Sequence, residues 1–184
     1  MKNGFLELIE EILSHSQKII ANNEVNEVYY RGHSRVDYQL LPGLARLENL
    51  PKQQKLEGDD LLNFESRLAS GFMQYGNHLI SQHRGSWDPL YLMQHHGLPT
   101  RLLDWTESLM TALYFAVCDA KEDSDAAVWV LDPYALNNTE AKKEDYDVLE
   151  YLDVRYPEGY YHYFVDTRMN KSEPFPKRIL AIAS

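Results

Sequence analysis

No stretch of this chain restricts its folding more than Leu90 to Ala116, LYLMQHHGLPTRLLDWTESLMTALYFA. An apolar helical run meets Gly97, a residue that ends helices by adopting the left-handed conformation. Pro99 follows two residues later, and a Pro-Thr-Arg turn comes with it. A short apolar run leads to Asp104-Trp105-Thr106, and a second, longer apolar helix begins beyond. A packing element alone needs none of the polar residues at 94–96, 100–101 and 104–106, so the stretch is expected to line a site.

On either side the periodicity alternates between helix and strand. Residues 3–21 place Phe5, Leu8, Ile9, Ile12, Leu13, Ile19 and Ile20 near helical spacing, and Asn22-Asn23 is expected to break that helix. EVYYR, residues 27–31, reads as a strand stopping at Gly32. Residues 33–58 read as a long loop pinned by Leu40, Leu41 and Leu44. Asp59 or Asp60 can cap a helix through about Ser81, with Leu61, Leu62, Phe64, Leu68, Phe72 and Leu79 on its apolar face. Asp88-Pro89 starts the short helix that Gly97 terminates.

Thr106 can cap a helix over 107–121, with Glu107 at its positive end and Leu109, Leu113, Ala116 and Val117 facing inward. AAVWVL, residues 126–131, is apolar almost throughout and reads as a central strand that Asp132-Pro133 ends. Residues 137–150 are acidic and helical at best, and 160–165 and 178–183 are further strand candidates. Together these elements predict an α+β fold, a small mixed or antiparallel sheet with several packed helices. One domain spans 1–184: an N-terminal helix over 1–24, a motif-bearing core over 27–131 and a C-terminal part over 132–184.

The net charge of −10 argues against a nucleic-acid backbone as the main partner, since phosphate binding wants a basic face. It leaves room for a small anionic ligand in a local arginine pocket. Thirteen tyrosines suit half-buried walls and clefts. Cys118, the single cysteine, lies in an apolar helical run and is expected to be a buried thiol, so no disulfide forms within one chain. Residues 1–20 carry Glu7, Glu10 and Glu11 without a continuous apolar core, unlike a signal peptide, and no run approaches the roughly 18 apolar residues of a membrane helix. A soluble cytoplasmic protein is the expectation.

Several residues are candidates for chemistry. Arg31 ends a strand beside Gly32, which lets another group approach the backbone, and this suits a phosphate or carboxylate; a structural salt bridge is the alternative. His95 and His96 point about 100° apart on a helix, so one of them is expected to face a ligand as donor, acid or base, or else to bond within the helix terminus. A metal is not expected: there is no HExxH and no paired cysteine. Arg101 and Asp104 can form a buried ion pair, or Arg101 can bind an anion while Asp104 holds another donor. Trp105 can stack on a planar ring or belong to the core. The helix start beside Thr106 offers free N–H groups, so an anion docked there between Arg31 and Arg101 uses the arrangement economically. Arg31, His95 or His96, Arg101 and Asp104 are expected to converge on one site.

These residues carry a resemblance. Tyr30-Arg31-Gly32, followed by QHHGLPTRLLDWTESLMTALYFA, closely resembles the FRG domain family, named for a Phe-Arg-Gly signature in which Tyr30 here replaces Phe. The resemblance runs from Tyr29 to about Leu131 and is strongest over 94–106; the family is found largely in bacteria and came without an assigned activity. A weaker resemblance joins Arg31-Gly32 and the Asp104–Thr106 segment, leading into a helix with Ala112, Leu113, Phe115 and Ala116, to the NAD-binding core of ADP-ribosyltransferases.

That likeness implies NAD as the cofactor, with Arg31 holding a phosphate, Trp105 or a tyrosine stacking on a ring, and His95 or Asp104 acting at the ribose. Gly32, Gln94, Arg101 and Thr106 complete the expected ligand-binding set. FRG chains carry a glutamine soon after the Arg-Ile of their last strand, whereas here Arg178-Ile179-Leu180-Ala181 is followed by Ile182. Either the chain is truncated there or a catalytic position has been lost, and Glu173 has no assured place in the site. Two functions therefore compete: an ADP-ribosyltransferase-like or NAD-cleaving enzyme, and a non-catalytic module that binds a nucleotide or a protein partner with the same cleft.

Overall fold

The computed structural model describes residues 2–23, 27–46, 58–80, 88–121, 123–142, 152–153 and 182–183. Its elements are α1 (Lys2–Asn23), β1 (Tyr29–His33), a 3-10 turn (Gly43–Arg46), α2 (Gly58–Ile80), α3 (Asp88–His95), α4 (Leu109–Val117), β2 (Ala127–Leu131), α5 (Pro133–Lys142), β3 (Leu152–Asp153) and β4 (Ile182–Ala183). Helices and small sheets in this order make an α+β protein. The chain divides into two compact units, the first from Met1–Gln39 and Asp104–Tyr151, the second from Leu40–Leu103 and Leu152–Ser184.

In the first unit β1 and β2 pair antiparallel, with Tyr30 opposite Val130, Arg31 opposite Trp129 and Gly32 opposite Val128. The alternation of a strand sorts these residues onto two faces. Tyr30, Val128 and Val130 pack with Leu109, Ala112 and Leu113 of α4 and with Ile9, Ile12, Ile19 and Ile20 of α1. Arg31 and His33 therefore lie on the face turned away from α4. Gly32 is required where α4 crosses the sheet: a Cβ there would come within 1.9 Å of the Ala112 carbonyl oxygen. Gly32 thus serves the close approach of a helix backbone, and the strand continues through it to His33 rather than stopping.

Tyr30 also anchors the chain laterally. Its hydroxyl donates to Ser16 Oγ at 2.9 Å, and Ser16 Oγ donates to the Ile12 carbonyl at 2.9 Å, a buried relay joining strand to helix. Its backbone N–H and carbonyl both bond to Thr106 (2.7 and 2.9 Å), so the 104–106 segment runs along the edge of β1 opposite β2.

Several boundaries differ from expectation. Helix α1 continues through Asn22 and Asn23, and Phe5, Leu8 and Leu13 are exposed while the isoleucines carry the packing. Helix α4 starts at Leu109 with Ser108, not Thr106, as N-cap: Ser108 Oγ accepts the Thr111 N–H, because Thr106 is held in the bridge to β1. Its buried stripe is Leu109, Ala112, Leu113 and Ala116. Val117 and Cys118 fall outside this arc and are exposed, so the thiol is not buried; a helix apolar on all sides gives no periodicity to tell the faces apart. β2 is not buried throughout: Trp129 is 38% exposed. Asp132-Pro133 does more than end β2; Asp132 Oδ1 accepts the Ala135 N–H at 2.8 Å and caps α5, with Pro133 in the first turn.

The second unit packs α2 against α3. Ala69, Leu90 and Met93 are its buried centre, with Leu68, Phe72, Tyr91, Leu98 and Leu102 around them. Helix α3 ends as its sequence requires: Gly97 takes φ 77°, its N–H bonds the Gln94 carbonyl, and the Leu98 N–H bonds the Met93 carbonyl, a Schellman closure. Of the expected loop anchors, Leu44 is buried and Leu41 is exposed. β3 and β4 pair parallel, with Leu152 opposite Ile182. The side chains of Asp59, Asp60, Leu62, Leu79 and Asp88, the strand candidate 160–165, residues 178–181 and Glu173 lie outside the described residues.

Candidate functional site

The face of the β1–β2 sheet turned away from α4 carries a cluster of polar groups. Arg31 Nη1 donates to the backbone carbonyl of Asp104, and Arg31 Nε is directed at His33 Nε2 at 3.1 Å. Trp129 sits opposite Arg31 across the ladder, and its indole Nε1 is directed at His33 Nδ1 at 3.2 Å. His33 is 7% exposed, with its ring edge-on to Trp129 and to Tyr38 at centroid distances of 6.2 Å. Arg35 lies over the Tyr38 ring and pairs with Asp37 through bonds of 2.8 and 2.6 Å. The hydrogen bonds from Arg35 hold the exposed Asp37 carboxyl below its ordinary range, and the same bonds raise the Arg35 guanidinium.

The grouping is a consequence of strand geometry. Arg31 and His33 are two apart and share a face; β2 brings Trp129 opposite. The 104–106 segment, bonded to the free edge of β1 at Thr106, puts the Asp104 carbonyl within reach of Arg31. The Asp104 side chain is exposed and Trp105 is half-buried.

Gln94, Thr100 and Arg101 belong to the second unit, where the structure gives them structural work. Glu65 is 1% exposed on α2 and receives Arg101 three times: the backbone N–H to Oε1 at 2.8 Å, Nε to Oε2 at 2.5 Å, and Nη2 to Oε2. Arg101 therefore pairs with Glu65. Thr100, fully buried, donates to Gln94 Oε1, its Oγ1 accepts the Leu102 N–H at 3.2 Å, and its carbonyl accepts the Leu44 N–H at 2.9 Å. The turn after Gly97 is thus fastened at each polar residue. Arg101 Nη1 is buried and has no hydrogen-bond partner among the described residues. His95 and His96 are both exposed, with their rings edge-on at 5.4 Å and His96 near Phe72 at 6.0 Å.

The expected site set therefore falls into two groups. Arg31, Gly32, Asp104, Trp105 and Thr106 belong to the first unit; Gln94, His95, His96 and Arg101 belong to the second. The residues that sequence reasoning missed are Glu65, His33 and Trp129. For His33 and Trp129 a signal existed: His33 is two residues from Arg31 in a strand, and Trp129 is the polar-tipped member of an apolar one. Glu65 gave none, being one of 28 acidic residues on a chain with many exposed ones.

A model of the FRG domain family matches residues 26–125, more than half of the chain, which thus belongs to the FRG domain family. Neither curated proteins nor solved structures give a match. Among the described residues no group of three or more potential metal ligands occurs, and no helix is long and apolar enough to cross a membrane.

Proposed function

We propose that this FRG domain binds a nucleotide or NAD-type ligand through an anionic group held at Arg31. The observation that carries the reading is the setting of Arg31. It lies on the sheet face not occupied by α4, and two neutral acceptors, the Asp104 carbonyl and the His33 ring, orient its guanidinium. These two bonds orient the guanidinium, a planar donor whose geometry suits a phosphate. Trp129, partly exposed beside it, offers an aromatic wall.

The likeness of this segment to ADP-ribosyltransferases makes ADP-ribose transfer or NAD cleavage the catalytic form of the proposal, with Asp104 as the candidate at the ribose. The second reading is a non-catalytic binding module. The engagement of Gln94, Thr100 and Arg101 in fastening their own turn favours it, since motif residues used to hold backbone leave fewer for chemistry. Calorimetric titration with NAD, ADP-ribose and ATP tests the binding claim, and the absence of heat from all three removes it. Chromatographic measurement of NAD consumption then separates enzyme from module.

A further inference from the structure

We infer that Trp129 is a ligand-contacting residue whose indole N–H donates to an acceptor oxygen of the phosphate-bearing ligand anchored at Arg31. The inference rests on the nucleotide reading above and adds a residue to it. It starts from the donor and acceptor inventory of His33. A neutral imidazole has one N–H and one lone-pair nitrogen, and a protonated one has no lone pair. Yet Arg31 Nε is directed at Nε2 at 3.1 Å and Trp129 Nε1 at Nδ1 at 3.2 Å, and both groups are donors with no acceptor capacity.

Only one of the two can be satisfied by His33. The guanidinium is charged, and charge-assisted bonds are roughly twice as strong as neutral ones. His33 Nε2 therefore accepts from Arg31, its proton sits on Nδ1, and that N–H meets the indole N–H donor to donor. The indole has to turn elsewhere for an acceptor. Its freedom to do so is visible in its exposure, 38%, against 7% for His33.

The direction in which it finds one follows from the ladder. Trp129 stands directly opposite Arg31, so a group bound to the guanidinium lies next to the indole. A phosphate offers several acceptor oxygens, one for the arginine fork and another for the indole N–H. The exposed ring then flanks whatever planar part of the ligand follows the phosphate.

The test uses ADP-ribose as probe and three full-length proteins: wild type, Arg31→Ala and Trp129→Phe. Phenylalanine keeps an aromatic ring but removes the N–H together with the five-membered ring, so the indole resonance is the readout specific to the hydrogen bond. Trp129→Phe is expected to weaken binding about two- to tenfold, the range of one neutral hydrogen bond, and the Trp129 Nε1–H resonance should move during the wild-type titration. Long-range proton–nitrogen correlation of His33 should show the proton on Nδ1. Binding that Arg31→Ala weakens, while Trp129→Phe leaves it unchanged and the indole resonance stays still, overturns this inference and spares the ligand reading. A His33 proton on Nε2 overturns it as well, since Nδ1 would then accept from the indole. No binding by the wild type overturns both.

Discussion

Glu65→Gln is the substitution whose cost the structure defines best. The Glu65 and Arg101 side chains are 2% and 11% exposed, and three donations from Arg101 converge on one carboxylate. Glutamine keeps the shape but supplies one acceptor oxygen and places an NH2 where the other stood, opposite an N–H donor. The guanidinium stays buried without its counter-charge. Breaking a buried pair on one side costs about 3–5 kcal/mol, roughly a fifth or more of a common total stability of about 5–15 kcal/mol.

The double variant Glu65→Leu with Arg101→Met removes both charges together. It leaves mainly the Arg101 backbone N–H without its acceptor, about 1–3 kcal/mol, so it should be more stable than Glu65→Gln alone. Urea unfolding followed by circular dichroism, with m compared across variants, reads both numbers. A Glu65→Gln midpoint within about 1 kcal/mol of wild type, or a double variant as unstable as the sum of the two single ones, would refute the claim that this pair holds the turn after Gly97.

Gly32→Ala should be among the most damaging small substitutions, because the new Cβ meets Ala112 backbone rather than a movable side chain; a loss of at least about 1–3 kcal/mol in thermal unfolding is expected, and a melting point equal to wild type would show that α4 does not sit on the strand there. Tyr30→Phe, which restores the residue of the family signature, should cost about 0.5–1.5 kcal/mol, since Ser16 Oγ keeps its bond to the Ile12 carbonyl. Ser16→Ala should cost more than Tyr30→Phe because it leaves a buried tyrosine hydroxyl behind. The Asp37 carboxyl, lowered by its bonds to Arg35, should titrate below an unperturbed aspartate in carbon-detected NMR. A depressed folded value means that its stabilisation is present above the unfolded pKa of about 3.9 and is lost as the pH falls through the folded value. The contribution is small, as both groups are exposed, and Arg35→Gln should return the midpoint to the ordinary range.

The legible parts of this fold were those where one residue type settles the backbone. Gly97 closes α3 in the left-handed conformation, and Asp132-Pro133 marks a strand end that is equally a helix cap. The limits of α4 were hidden because LMTALYFAV is apolar on every side, so neither its cap nor its buried face shows in the pattern. Gly32 in the sequence suggests room for a ligand, and the structure shows room for a helix; a sequence states that a backbone is approached and not by what. Spacing offers Arg101 either Asp104 or an anion as its partner, whereas Glu65 stands 36 residues earlier, a pairing that only tertiary contact reveals. Arg31 was legible as a site candidate. Its neighbours His33 and Trp129 were legible only through strand alternation and register, and the register needs both strands.

The most direct measurement is the affinity of ADP-ribose for wild type and for Arg31→Ala, by calorimetry, with equal melting points confirming that both are folded. A bidentate charge-assisted contact is worth about 1.5–3 kcal/mol, so the substitution should weaken binding about tenfold or more. Equal affinities would place the ligand elsewhere and contradict a site built on Arg31.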